Sequence, residues 1–561
     1  MRTSIGVIFG STLACFTLAA PETSSQHPLG HDDSGESENG LPFPTSDLVD
    51  YIKGTMEKWH APGMAVAIVN GKTTWAEGFG YASLPSTPVT PHTLFWAGST
   101  TKSFTAAALS LLIDNASEYS SVGWATPISQ LLREDFVLSD DWATAHITIE
   151  DALSHRTGYP AHDLSVGAAG EGDTRSIIRS LRYLPMTKEP RTTFQYNNIM
   201  WATAGYLVST LSGSRLGAFF RQYLWGPMGM DETFLGDWDP RFGSSGGLEL
   251  ADGYWWVNSS QKYFKQARET TSNSVRADEG AGAVVSNVLD YTKYLRVMMN
   301  EAAPISKAGH RELKSPRSFH TMHQDLFVGR VTYGLGWMSG VFEGHEVFFH
   351  TGTVTPFVTF MMMVPSKSFG IVVMGNGWSH ARELVTYRIL YDLFGVEESR
   401  RRDFESKFEE ADALEAHNIA TCSERMYPDI PQPPIPASVP LANHTGHFRH
   451  VAYGDIYVSL DCNTDTATSS TPAPIKDSET ENCRLRLSRG PESQVKLTGN
   501  LEHQTSDFWI YYAVFDEVPE KIFACLRAQF HVDSRGVVSH IAVDVRLEGE
   551  EGPLVEFERF Q

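Results

Sequence analysis

Six prolines fall within residues 428–440, PDIPQPPIPASVP, and they divide the chain. Proline fixes φ and lacks a backbone N–H, so this stretch enters neither a helix interior nor a central strand. It forms an extended, semi-rigid spacer, and the chain on either side must bury its apolar residues separately. Beyond the spacer these residues alternate, in YGDIYVSL, CRLRLS, DFWIYYAVF, IFACLRAQFHV, VVSHIAVDVRL and VEFERF. A period of two predicts an all-β unit of about eight strands over 441–561, a small barrel or sandwich.

Ahead of the spacer the pattern is mixed. Leu48, Ile52, Met56 and Trp59 recur at helical spacing behind Thr45 or Ser46, either of which suits an N-cap. In GMAVAIVNGKTTWAEGFGYAS two apolar runs flank Asn70-Gly71, a strong hairpin signal. A helix after Ser99 is predicted to bury Phe104, Ala107, Ala108 and Leu111 or Leu112, and 194–211 predicts a loop leading into another helix. Strand patterns return near 331–377, in TYGLGWMSGVF, HEVFFHTG, FVTFMMMVP and FGIVVMGNG. Strands first and last with helices between predict an α+β domain over 45–396. Residues 397–440 then form a helical and proline-rich linker.

The chain opens MRTSIGVIFGSTLACFTLAAP: a basic start, an apolar run, then small residues. This is the pattern of a signal peptide over 1–20, and the apolar run falls short of the roughly 20 residues of a membrane span. No later segment reads as a span. Residues 21–44, rich in Ser, Glu, Gly, Pro and His, are predicted to lack order. Export changes the reading of the cysteines. Cys15 leaves with the signal, and Cys422, Cys462, Cys483 and Cys525 remain, an even set that predicts two disulfides with three pairings open. Asn115, Asn258 and Asn443 head sequons and are candidate glycosylation sites. The formal net charge of −22 argues against a nucleic-acid partner.

Three short motifs carry chemistry: Gly98-Ser99-Thr100-Thr101-Lys102, Tyr196-Asn197-Asn198 and His350-Thr351-Gly352. A serine hydroxyl needs a neighbouring base before it attacks a carbonyl. Residues i and i+3 share a helix face, so Lys102 can reach Ser99. Lysine acts as a base only when neutral, which burial favours. Tyr196 is a second candidate base, and a Tyr196–Lys102 pair can share the task. Asn198 is placed to orient Lys102 and a substrate amide. HEVFFH at 345–350 lacks the zinc-helix spacing and reads as a strand, so no metal and no cofactor are expected. His155, in SHRTG, suits a structural role. Tyr254, Trp255, Trp256 and Phe264 suit packing or a surface insertion better than a substrate wall.

GSTTK, YNN and HTG, in this order, resemble the serine β-lactamase and penicillin-binding-protein superfamily, nearest its class C β-lactamase-like branch. ITIEDALSHRTGYP (147–160), WGPMGMDET (225–233), GAGAVVSNVLDYTKYL (280–295), YGLGW (333–337) and VVMGNG (372–377) support the likeness, which covers about 46–395. The resemblance implies an antiparallel sheet flanked by helices, an all-helical subdomain, and a lipocalin-like C-terminal β-domain. It implies an acyl-enzyme on Ser99, with the backbone N–H groups of Ser99 and Thr353 as oxyanion donors and Asn198, His350, Thr351 and Gly352 around the substrate. His350 departs from the lysine usual there, which weakens recognition of a substrate carboxylate. This favours esters, amides or D-amino-acid peptides over β-lactams. Three functions fit: a secreted serine hydrolase of a small molecule or short peptide, an acyltransferase or peptide cyclase of secondary metabolism using the same acyl-enzyme, and a catalytically silent binding protein. Product analysis with an added acceptor separates the first two, and covalent labelling separates both from the third. Oligomeric state leaves no mark in the sequence.

Overall fold

The Asn70-Gly71 turn folds Gly63–Asn70 back on Thr73–Ser83, with Gly71 at φ +55°, as the dipeptide predicts. In the computed structural model, which describes residues 45–115, 117–168, 173–244, 246–320, 325–462, 483–545 and 554–560, this hairpin is one wing of a nine-stranded sheet. Strand Gly63–Asn70 pairs antiparallel with Phe369–Gly375, from the far end of the domain. Phe357–Val364, His345–Val354, Met338–Phe342 and Val328–Tyr333 follow in order. The sheet is thus built from both ends of the domain. The proposed signal and the segment after it, 1–44, lie outside the described residues.

Strands Phe357–Val364 and Phe369–Gly375 are buried at every position, so both sheet faces are covered. Helices Ser46–Lys58 and Ala381–Leu393 pack against each other, and the second packs on these two strands. Helix Val288–Asn300 also packs on them, with Leu295 against Gly370. Thr45 caps the first helix by accepting from the Leu48 N–H. Helix Thr101–Asp114 is buried on nearly all sides, including Phe104, Ala107, Ala108 and Leu112. It runs through the middle of the helical region, packed against helices Asn198–Ser212 and Lys307–Lys314.

After helix Phe404–Ala420 and the proline spacer, the remaining eight strands close into a barrel, the last pairing with the first through Phe448 and Arg559. Closure removes the exposed sheet edges. Of the three pairings open in the sequence, the structure has Cys422–Cys525 and Cys462–Cys483. The first ties the connector to the barrel strand Val518–Val532. Trp255 packs on Phe515 of the barrel at 5.3 Å and stacks with Trp378, so the aromatic cluster of the 254–264 hairpin serves as a packing surface between the two units.

Candidate active site

Ser99 lies in the 3₁₀ turn Gly98–Thr100, one step ahead of helix Thr101–Asp114 rather than in its first helical turn. Gly98 makes that step with φ +56°, a conformation costly for other residues. The turn is held from several sides: Ala97 N–H donates to the Val284 carbonyl at 2.8 Å, and Thr100 Oγ1 meets Tyr291 OH at 2.7 Å. It sits against strand His345–Val354 where that strand overhangs its neighbour. Pairing with Met338–Phe342 stops at Phe349, and among the described residues 350–354 have no strand partner on that edge. A Cβ on Gly352 would fall 2.0 Å from the Ala97 oxygen and 3.2 Å from the Ser99 nitrogen, and one on Gly98 would fall 2.3 Å from the Thr353 nitrogen. The backbone nitrogens of Ser99 and Thr353 therefore border one close contact that two glycines permit. Gly352→Ala is expected to slow acylation at least ~100-fold, since about 1 Å of displacement at reacting atoms costs that much. Rapid-quench acylation rates check this, beside a thermal melt that reports folding.

Tyr196 OH donates to Ser99 Oγ at 2.8 Å, and Lys102 Nζ stands 3.0 Å from the same oxygen. Tyr196, 97 positions along the chain, thus meets the Ser99–Lys102 pair at one atom. Lys102 is fully buried, and its Nζ also lies 2.7 Å from Asn198 Oδ1 and 2.9 Å from the Ala281 carbonyl. A neutral amine has two N–H donors and one lone pair. In that form Asn198 and Ala281, both acceptors, take the two donors and the lone pair is left for Ser99, whereas the protonated amine donates to all three oxygens. Burial drives Lys102 down to about 7, with Asp278 and then Asp163 opposing it. Burial pushes Tyr196 upward, so its phenol keeps its proton near neutrality.

His155 fixes Tyr196. Its ring stacks on the phenol at 4.2 Å, its carbonyl accepts from Gln195 N–H at 2.7 Å, and its Nδ1 accepts from Asn197 N–H at 3.0 Å. Asn197 then caps helix Asn198–Ser212 through Met200 N–H. Asn198 is the first residue of that helix, which explains how it reaches Lys102.

His350 was expected to meet the substrate, and the structure places it elsewhere. It is 1% exposed. Its Nδ1 lies 2.6 Å from the Thr351 carbonyl, and its Nε2 lies 2.9 Å from Tyr333 OH. A carbonyl only accepts, so Nδ1 carries the proton and Nε2 accepts from the tyrosine. Burial holds the ring down to about 3, hence neutral. Neither His350 nor Thr351 lines the cleft, whereas Thr353 and Val354, further along the strand, do.

Above Ser99 opens a cleft of ≈ 100 Å³ that continues into open solvent. Its walls bring residues the sequence did not single out: Asp163, Gln266, Thr270 and Asp278 from the first unit, Gln494–Lys496 and Phe515–Glu517 from the barrel. Burial pushes Asp163 up to about 6 and Asp278 up likewise, each against the pull of Lys102. Asp163 accepts from Asn198 Nδ2 at 3.0 Å.

The Beta-lactamase family profile matches residues 48–393. An unguisins hydrolase of Aspergillus campestris is 38% identical over 435 residues, 76% of this chain and 80% of the relative. A D-aminopeptidase of Gluconobacter oxydans is 24% identical over 360 residues, 60% of each chain. The octameric penicillin-binding protein homologue from Pyrococcus abyssi shares the fold, with a TM-score of 0.55 and 19% identity over 89% of this chain and 97% of that one.

Proposed function

The chain belongs to the beta-lactamase family, an enzyme family of serine hydrolases, and on that premise we propose that it is an exported hydrolase that cleaves an ester or amide through an acyl-enzyme on Ser99. The observation that carries the reading is the convergence of Tyr196 OH and the buried Lys102 Nζ on Ser99 Oγ, at 2.8 and 3.0 Å. Once the amine is neutral, Asn198 and Ala281 take its two N–H groups and its lone pair is left for the Ser99 hydroxyl; the protonated amine donates to all three.

In the proposed reaction Ser99 Oγ bonds to the substrate carbonyl carbon as its proton passes to Lys102 Nζ. The N–H groups of Ser99 and Thr353 meet the oxyanion. Tyr196, a phenol at this pH, gives its proton to the leaving oxygen or nitrogen as that bond breaks, and Lys102 restores it. Water then releases the acyl group. Neutral His350 supplies no fixed cation, so a free substrate carboxylate gains little here. The relative named an unguisins hydrolase supports hydrolysis, and the one named a D-aminopeptidase supports an amide substrate with D-residues. The two disulfides support export, and among the described residues no helix is long and apolar enough to cross a membrane. Asn115, Asn258 and Asn443 are exposed, as glycan acceptors must be.

The pH profile tests this directly. Lys102 serves as base only after losing its proton, and its value near 7 sets where that happens. With p-nitrophenyl acetate, kcat/KM is expected to rise about tenfold per pH unit up to about 7 and level off above. Asp278 is coupled to the same amine, so the limb reports the pair. A flat profile from about pH 5 to 9 contradicts the assignment. The same assay with added amine separates hydrolysis from acyl transfer: the acid product alone is expected.

A further inference from the structure

We propose that the barrel is a working part of the catalytic unit, in which Arg489 positions the segment 162–168 so that Asp163 holds Asn198 against Lys102. The proposal rests on the reading of Lys102 as base.

The chain of contacts runs outward from Lys102. Its Nζ donates to Asn198 Oδ1 at 2.7 Å, and Asn198 Nδ2 donates to Asp163 Oδ1 at 3.0 Å. Asp163 opens the short 3₁₀ turn Asp163–Ser165, too short to hold itself in place. The barrel grips this turn. Arg489 Nη2 donates to the Leu164 carbonyl at 2.6 Å. His162, at φ +51°, has Nε2 3.0 Å from the Pro185 carbonyl, so Nε2 carries the proton and Nδ1 accepts from Tyr453 OH at 2.6 Å. Past the turn, a Cβ on Gly167 would fall 2.1 Å from the Gln494 side chain, and one on Gly454 would fall 2.5 Å from the Ala168 oxygen. Segment and barrel are therefore in close contact along this stretch.

Arg489 is a costly residue to keep for packing alone. It faces an apolar pocket in the barrel lined by Leu487, Tyr511, Phe557 and Leu164 among others. Its Nη1 is buried without a hydrogen bond, and no acid pairs with it among the described residues. Burial draws it down to about 10. A buried guanidinium without a carboxylate is unfavourable unless its donors are used. Two of its contacts are accounted for, the Leu164 and Tyr453 carbonyls, and the first leads to the catalytic amine.

The consequence is specific. Lys102 is faced by Asp163, Asp278, Tyr196, His155 and His350, and of these only Asp163 lies on the segment Arg489 holds. Its negative charge favours the protonated amine. Loosening the segment therefore misaligns Asn198 and also shifts the acid limb of the rate profile to lower pH.

The experiment uses the full chain with p-nitrophenyl acetate, reading acylation rate, KM, pH limb and thermal midpoint together. Arg489→Met is expected to lower the acylation rate about 10- to 100-fold, to leave KM within about threefold, and to move the acid limb downward. Asp163→Asn should move it the same way with the barrel untouched. Arg489→Lys, which keeps a donor for Leu164, should recover a good part of the loss. Tyr453→Phe, a milder change should the arginine variants fail to fold, should give a smaller loss of the same sign. Arg486→Met, on the same strand and bonded to Thr498, should change nothing. An acid limb that stays in place in Arg489→Met and Tyr453→Phe, with acylation within about threefold of the parent, overturns the proposal while leaving Ser99 chemistry intact. An unmodified Ser99 in the parent protein during turnover overturns both readings.

Discussion

Ser99→Ala is expected to lower kcat/KM by about 10⁴- to 10⁶-fold and to abolish covalent labelling by a fluorophosphonate. The size follows from what remains. Loss of a nucleophile in a cooperating set costs about as much as loss of the whole set, because the other members have nothing left to activate. The surrounding donors and the cleft persist and give residual binding without acyl transfer. The hydroxyl accepts from Tyr196 and stands next to Lys102 in a site where Ser99 is only 8% exposed. Alanine fits within the same volume, so the variant should fold, with a thermal midpoint lowered modestly by the Tyr196 hydroxyl left without its acceptor. Activity retained within about tenfold would place the nucleophile elsewhere.

Lys102→Met carries the second large effect, about 10³- to 10⁴-fold in acylation. Methionine fills the buried channel of the lysine stem but brings no lone pair of comparable basicity. It also strips Asn198 Oδ1 and the Ala281 carbonyl of their donor, so a stability loss of roughly 1–3 kcal/mol should accompany the rate loss. The two effects separate by pH. The residual activity of Lys102→Met should lose the limb near 7, because the base is gone and Asp278, no longer held down by the amine, moves upward. A variant that keeps this limb with only a modest rate loss would assign the base to Tyr196 instead.

The three motifs were legible because each is local: a turn into a helix, a loop into a helix, and a strand end. What each side chain would face was less legible. Ser99-x-x-Lys102 gave the i, i+3 geometry, yet Ser99 stands in a 3₁₀ turn ahead of the helix, a step that depends on the left-handed Gly98. His350 was readable as a departure in charge. Its burial under Tyr333 depends on which strand face packs inward, and one residue of register reverses that. Asp163 and Asp278 left no signature, since a lone aspartate among many is a solvated residue until the fold surrounds it. The barrel's share of the cleft was equally hidden: Gln494–Lys496 and Phe515–Glu517 lie hundreds of residues from Ser99, in a unit whose alternating pattern reports only its own core. The same distance problem left three cysteine pairings open until the connector helix met the barrel.

The account stands on one covalent bond, and intact-mass analysis of the protein quenched during turnover of p-nitrophenyl acetate, followed by peptide mapping, tests it most directly. The account predicts a single acetyl group per chain, on the peptide containing Ser99, that disappears as substrate is exhausted and never forms in Ser99→Ala. Product formed at full rate with Ser99 unmodified throughout would contradict it.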